Sequence, residues 1–185
     1  MKKNSLIGAI TIFLIFMTIM FSVIFALIKN GRSVWLTLAI SFGTTAYHFV
    51  IRLLSASFVR FIFEKKLDCW NRWFLVTSNE IKLYKVLKVK YWKNKLPTYI
   101  PESFDISKNS WEQIIKASCM AELIHEIIIA FSFVPILFSF FFGALFVFLI
   151  TSLLAAGIDL LFVLIQRYNR PRYIKMLSIT KQKYP

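Results

Sequence analysis

From Met120 to Ile165 the chain is almost wholly apolar, broken only by Glu122, His125, Glu126 and Asp159 among the acids, bases and imidazoles. A membrane-crossing helix needs about 20 such residues, so this run is long enough for two crossings. It is therefore expected to fold back on itself as a helical hairpin, with its turn near Ser139–Gly143. Two more apolar runs precede it, Leu6 to Ile28 and Val34 to Phe63. Lys2 and Lys3 stand before the first, which is too long for a signal-peptide core and lacks a small-residue cleavage site. It reads as an uncleaved membrane helix. Four spans are thus expected, at about 6–28, 34–63, 120–138 and 143–166, in a single all-α membrane domain covering 1–185. The segment "KNGRS" (29–33) reads as a tight turn between the first two.

Composition supports this class: 58% of residues are hydrophobic, with 20 Phe, yet the net charge is +14. The Lys and Arg residues number two before the first span, two in 29–33, eleven in 64–118 and six in 167–183. The positive-inside rule then puts both termini and the 64–118 segment in the cytoplasm. Basic residues beside apolar spans point to anionic headgroups, and no helix-turn-helix, finger or aromatic-basic RNA motif is present, so nucleic acid is not an expected partner. Cys69 and Cys119 are not expected to form a structural disulfide, because cytoplasmic thiols stay reduced.

The 64–118 segment holds four of the five Trp and interleaves Leu, Val, Tyr and Trp with Lys in "LYKVLKVKYWKNKLPTYIP". Such a pattern suits an amphipathic, partly helical segment lying at the headgroup boundary. Trp92, Lys93 and Lys95 either anchor it to lipid or contact a ligand directly. Further on, Ser110-x-x-Gln113 is a capping box that should start the helix leading into the third span.

Ionisable groups inside membrane helices are costly and each needs a reason to be there. His48 and Arg52 share one helix face at i, i+4; they either contact an anion or substrate, or Arg52 snorkels or pairs with Asp159 while His48 hydrogen-bonds to the backbone. In "AELIHE" (121–126), His125 and Glu126 follow Glu122 at i+3 and i+4. A neutral imidazole can take a proton from an alcohol, and a neighbouring carboxylate orients it, which makes His125 a candidate base with Glu122 or Glu126 beside it. The alternative is a solvated entry turn to the third span. Glu-x-x-His is also half of a di-iron motif, but no second copy exists and the chain has two His, so no metal is expected. Asp159 lies two turns before Gln166 on one helix face, as a structural partner or an acid. The stretch "QRYNRPR" brings Gln166, Arg167, Tyr168, Asn169, Arg170 and Arg172 to the end of the last span. Guanidinium forks bind phosphate or carboxylate, while a stop-transfer edge would explain the charges alone. Pro171 is expected to stop the helix there or force a turn.

The stretches "WNRWF" (70–74), "KVKYWKNKLP" (88–97), "AELIHE" (121–126) and "IQRYNRPR" (165–172) occur in the order found in the glycosyl-4,4'-diaponeurosporenoate acyltransferase family, which the chain resembles over just more than half its length. The resemblance implies a bacterial cell-membrane enzyme that moves a long-chain acyl group to a sugar hydroxyl of a lipid-linked glycoside. It implies no resident cofactor, an acyl donor such as acyl-CoA as co-substrate, and the bilayer as the working surface. Neither His is followed by the Asp of the glycerolipid acyltransferase signature, and no Gly-x-Ser-x-Gly elbow is present, so direct attack by the sugar hydroxyl is the simplest route. In that reading His125 is the base, and Arg167, Arg170 and Arg172 hold the donor phosphate or the oxyanion. Two other classes fit the residues: a lipid-modifying transferase or reductase with a nucleotide cofactor, and a non-catalytic membrane scaffold. Oligomeric state is not legible.

Overall fold

The computed structural model describes residues 2–28, 32–96 and 100–183, and among these it contains helices and no strand. In chain order the α-helices are α1 (Lys2–Leu27), α2 (Arg32–Phe63), α3 (Ser78–Val86), α4 (Val89–Trp92), α5 (Trp111–Phe131), α6 (Ser139–Phe142) and α7 (Leu145–Lys183). Among the described residues four stretches are long and apolar enough to cross a membrane: Leu6–Leu27, Val34–Phe63, Trp111–Phe142 and Leu145–Lys183. The expected turn at 29–33 lies outside the described residues at 29–31, and Arg32 and Ser33 already belong to α2.

The chain forms two compact units, one of residues 1–56 and 127–158, the other of 57–126 and 159–185. In the first, Phe21 of α1 packs on Trp35 and Phe42 of α2, with ring centroids 6.0 Å and 5.3 Å away. Gly43 lets the two helices approach: a Cβ there would stand 3.3 Å from the Thr18 methyl. Hydroxyls turn back onto their own helices, as Thr11 does to the Ile7 carbonyl (2.8 Å) and Thr151 to that of Val147 (2.7 Å). In hydrocarbon such bonds satisfy polar groups that no water reaches. The hairpin reversal falls where expected. The 3₁₀ turn Val134–Phe138 leads into α6, and Gly143 and Ala144 then take positive φ values of 68° and 47° before α7 begins.

The second unit is organised by caps. Thr77 starts α3 with a capping box in which Glu80 Oε2 accepts from the Thr77 backbone N–H (2.8 Å). Ser110 starts α5 in the same way, its N–H donating to Gln113 Oε1 (2.8 Å), as the sequence led us to expect. A small core then gathers Cys69, Phe74, Ile115, Cys119 and Leu177, with Trp111 and Tyr173 stacked beside it. Both cysteines are free and buried.

Pro171 does not end the last helix. Helix α7 continues through it to Lys183. An interior proline forfeits one hydrogen bond and clashes with the preceding turn, at a cost of ~3 kcal/mol. The turns beyond it offset this by burying Leu177 and packing Tyr173 and Ile174 against the core. Arg167, Arg170 and Arg172 therefore keep helical spacing.

Candidate active site

Two carboxylates enter the interior of the second unit, each met by a base from a different helix. Glu122 on α5 is fully buried. Its Oε1 accepts from Arg167 Nη1 at 2.5 Å, and its Oε2 accepts from Arg170 Nη2. A buried carboxylate without partners would be strongly destabilising; two guanidinium groups from α7 compensate it. The arginines are occupied well beyond that contact. Arg167 donates from Nε to Glu80 Oε1 (2.7 Å) and from Nη1 and Nη2 to the carbonyls of Trp73 (2.9 Å) and Leu75 (3.2 Å). Arg170 donates to the carbonyls of Phe74 (2.9 Å) and Ser118 (3.3 Å), and its guanidinium lies 5.3 Å from the centre of the Phe74 ring. This clasp ties the 70–77 loop and α3 to α5 and α7.

Glu80 was not among the residues singled out from sequence, although the Thr77-x-x-Glu80 spacing was available as a capping signal. One of its oxygens caps α3 and the other accepts from Arg167. Burial raises its pKa, but the hydrogen bonds from Arg167 and Thr77 outweigh that and hold the carboxyl at about 2. Next to it, burial and the Glu80 charge push the Tyr84 phenol up to about 12.

The second pair is His125 and Asp159. His125 Nδ1 lies 2.8 Å from Asp159 Oδ1, the acid being 1% exposed and the imidazole side chain 22%. The ring stacks on Phe162 with a 4.8 Å centroid separation and an 11° interplanar angle. Sequence spacing suggested Glu122 or Glu126 as the carboxylate on His125. Instead Glu122 is held by the two arginines and Glu126 accepts from the Trp73 indole N–H (2.8 Å), so the acid on the imidazole comes from α7. With the carboxylate accepting from Nδ1–H, Nε2 keeps its lone pair, and it has no hydrogen-bond partner among the described residues. The arrangement is a base and its orienter, able to accept a proton from a hydroxyl brought to Nε2.

The other candidates fall into three places. Lys93 Nζ donates to Asn169 Oδ1 (2.7 Å), and Tyr168 lies between Lys93 and Arg172, whose charged groups stand 5.1 Å and 3.8 Å from its ring centre. Gln166 is buried, with its backbone carbonyl accepting a long 3.5 Å bond from Ser118 Oγ. Trp92 donates to the Leu87 carbonyl (2.9 Å), and Lys95 is exposed. His48 and Arg52 belong to the first unit, where Arg52 donates to the carbonyls of His48 (2.9 Å) and Ala155 (3.4 Å). Among the described residues no three His, Cys, Asp or Glu side chains converge as a metal-ligand set.

A family model described as glycosyl-4,4'-diaponeurosporenoate acyltransferase matches residues 60–179, a range that includes the clasp and the His125–Asp159 pair and leaves out His48 and Arg52. No curated protein and no solved structure matches the chain.

Proposed function

The chain belongs to the glycosyl-4,4'-diaponeurosporenoate acyltransferase family and is an acyltransferase, and from that premise we propose that it esterifies a sugar hydroxyl of a lipid-linked glycoside at a membrane surface. The acceptor is a glycosyl-diaponeurosporenoate or another glycolipid. The family supports a bacterial cell membrane as its place, and charge asymmetry supports a multi-pass protein with both termini in the cytoplasm, which sets the chemistry on the cytoplasmic side.

The observation that carries the reading is the 2.8 Å contact between His125 Nδ1 and Asp159 Oδ1. Asp159 orients the imidazole and stabilises its protonated form. The sugar oxygen attacks the acyl carbonyl carbon while its proton passes to His125 Nε2. The tetrahedral adduct then collapses, the bond from carbon to the leaving group breaks, and the leaving group takes the proton back from the imidazolium. For a thioester donor the products are the sugar ester and a free thiol, and no other reactant is needed. Arg167 and Arg170 act here as positioning residues: through Glu122 they fix the turn of α5 that carries His125. Trp92, Lys93 and Lys95 serve at headgroup level near the acceptor.

Expression of the parent protein and of His125→Ala in a lipid-defined host supplied with donor and acceptor tests this. Mass spectrometry of the lipid extract should find an acyl-shifted glycolipid for the parent and none above background for the variant. Equal product from both would remove His125 as the base, and product from neither would remove the acceptor class.

A further inference from the structure

The second unit also holds a cleft of about 580 Å³ between α3, α4 and α7. Five exposed cations line it, Lys85, Lys88, Lys90, Arg172 and Lys175, and no carboxylate does. Among the described residues none of the five is paired with an acid. Arg167 also reaches the wall, but Glu80 and Glu122 already neutralise it. The backbone supports this convergence. Lys88 adopts φ 50° and ψ 36°, a left-handed conformation that is strained for a residue with a Cβ. It is the corner at which α3 gives way to α4, so that Lys85 and Lys90 face one space. Burial and the neighbouring Arg172 charge hold the Lys93 ammonium below its ordinary pKa, in keeping with a positive potential at this rim. Like charges gathered without counter-ions repel one another unless an anion joins them.

We propose that the cleft binds the phosphates of the acyl donor, and that the donor is a nucleotide-bearing coenzyme thioester. This rests on the acyl-transfer reading above. Helical rise places the α7 side of the cleft roughly 12 Å (Arg167) to 24 Å (Lys175) along the axis from Asp159. A donor filling both places needs a long arm between phosphate and acyl carbonyl. A coenzyme A thioester has one in its pantetheine chain, whereas in a phospholipid the ester carbonyl stands only a few covalent bonds from the phosphate. Five cations also match a polyanion better than a single phosphodiester. The tyrosines on the walls, Tyr84, Tyr91 and Tyr168, offer faces for a nucleobase.

Coenzyme A itself is the probe, titrated calorimetrically at low salt into the full chain in nanodiscs of phosphatidylcholine. Binding that weakens as salt is raised is expected. Lys85→Glu/Lys88→Glu should weaken it more than tenfold, and so should Lys90→Glu/Lys175→Glu, which alters different helices in case the first pair perturbs folding. His125→Ala should bind as the parent does. Adding phosphatidylglycerol to the nanodisc should leave the affinity unchanged. Absence of coenzyme binding, equal binding by both charge-reversed variants, or displacement by phosphatidylglycerol would each overturn the proposal, the last by making the cleft a lipid headgroup site. The two readings fail separately. Coenzyme binding without acyl transfer would leave the cleft assignment and remove the reaction, while undiminished transfer by both charge-reversed variants would do the reverse.

Discussion

Glu122 and Asp159 are both buried acids, and each meets a base supplied by the other of α5 and α7, yet the two pairs differ in what they leave over. At Glu122 both oxygens are bound by arginines whose other donors reach Glu80, Ser118 and the carbonyls of the 73–75 loop, with Arg170 Nε buried and without a hydrogen-bond partner among the described residues. Nothing there faces outward with spare hydrogen-bonding capacity. At Asp159 a short contact holds one nitrogen of an imidazole that is partly exposed and keeps its second nitrogen. A buried, multiply bound network transmits position; a partly exposed imidazole with a lone pair in reserve can exchange a proton. The more arginine-rich of the two is therefore the scaffold, and the modest pair three residues further along α5 is the place for chemistry.

The largest effect should come from the His125–Asp159 pair. General-base catalysis contributes roughly 10²–10⁴-fold, so His125→Ala should lower the acyl-transfer rate per folded molecule by about that factor, with the folded fraction set by thermal unfolding in detergent because the buried Asp159 loses its imidazole. Asp159→Asn should cost less in rate and act on kcat rather than KM, since it misorients the imidazole without touching the acceptor. An Asp159→Asn enzyme with parental kcat would break the comparison, leaving the 2.8 Å contact a structural one.

At the clasp the loss should appear in stability. Removing one member of a buried ion pair strands the other, at ~3–5 kcal/mol. Glu122→Gln should thus lower the unfolding temperature strongly, and activity should fall in proportion to the folded protein that remains. The double variant Glu122→Leu/Arg170→Met should recover part of the loss, because both charges are then gone. A folded Glu122→Gln protein with no activity would move Glu122 from scaffold to chemistry.

How much of this was legible beforehand follows from the kind of information each feature carries. Apolar run length reports directly on membrane-crossing capacity, so the four spans and the reversal near Gly143 could be read. The Ser110–Gln113 cap is a local spacing rule and was read too. Helical periodicity tells which residues share a face, and so it put Glu122 beside His125. It does not tell which face of a distant helix will meet them, and Asp159, 34 positions away, could not be assigned to His125 in that way. Pro171 misled for a related reason: its local cost is real, but the packing of Tyr173, Ile174 and Leu177 that outweighs it is tertiary. Guanidinium groups in "QRYNRPR" promised anion binding, and Arg167 and Arg170 do bind an anion, one that belongs to the protein itself.

The smallest expected effect tests whether the clasp extends to Glu80. Its carboxyl is held at about 2 against an ordinary value of 4.5, because Arg167 and Thr77 donate to the ionised form. A depressed acid stabilises the folded state above its unfolded pKa, and that contribution is lost as the pH falls through the folded one. The loss should therefore begin near pH 4.5 and be complete near pH 2. Glu80→Gln should be less stable than the parent at neutral pH, and the gap should narrow steadily across that window in detergent-solubilised unfolding curves. Because Glu80 is only partly buried, solvent screening keeps the gap smaller than the one at Glu122. A gap of the same size at pH 2.5 and pH 7 would mean that Glu80 matters through its capping geometry alone. The clasp's charge network would then end at Arg167, with Glu122 as the one acid whose charge it requires.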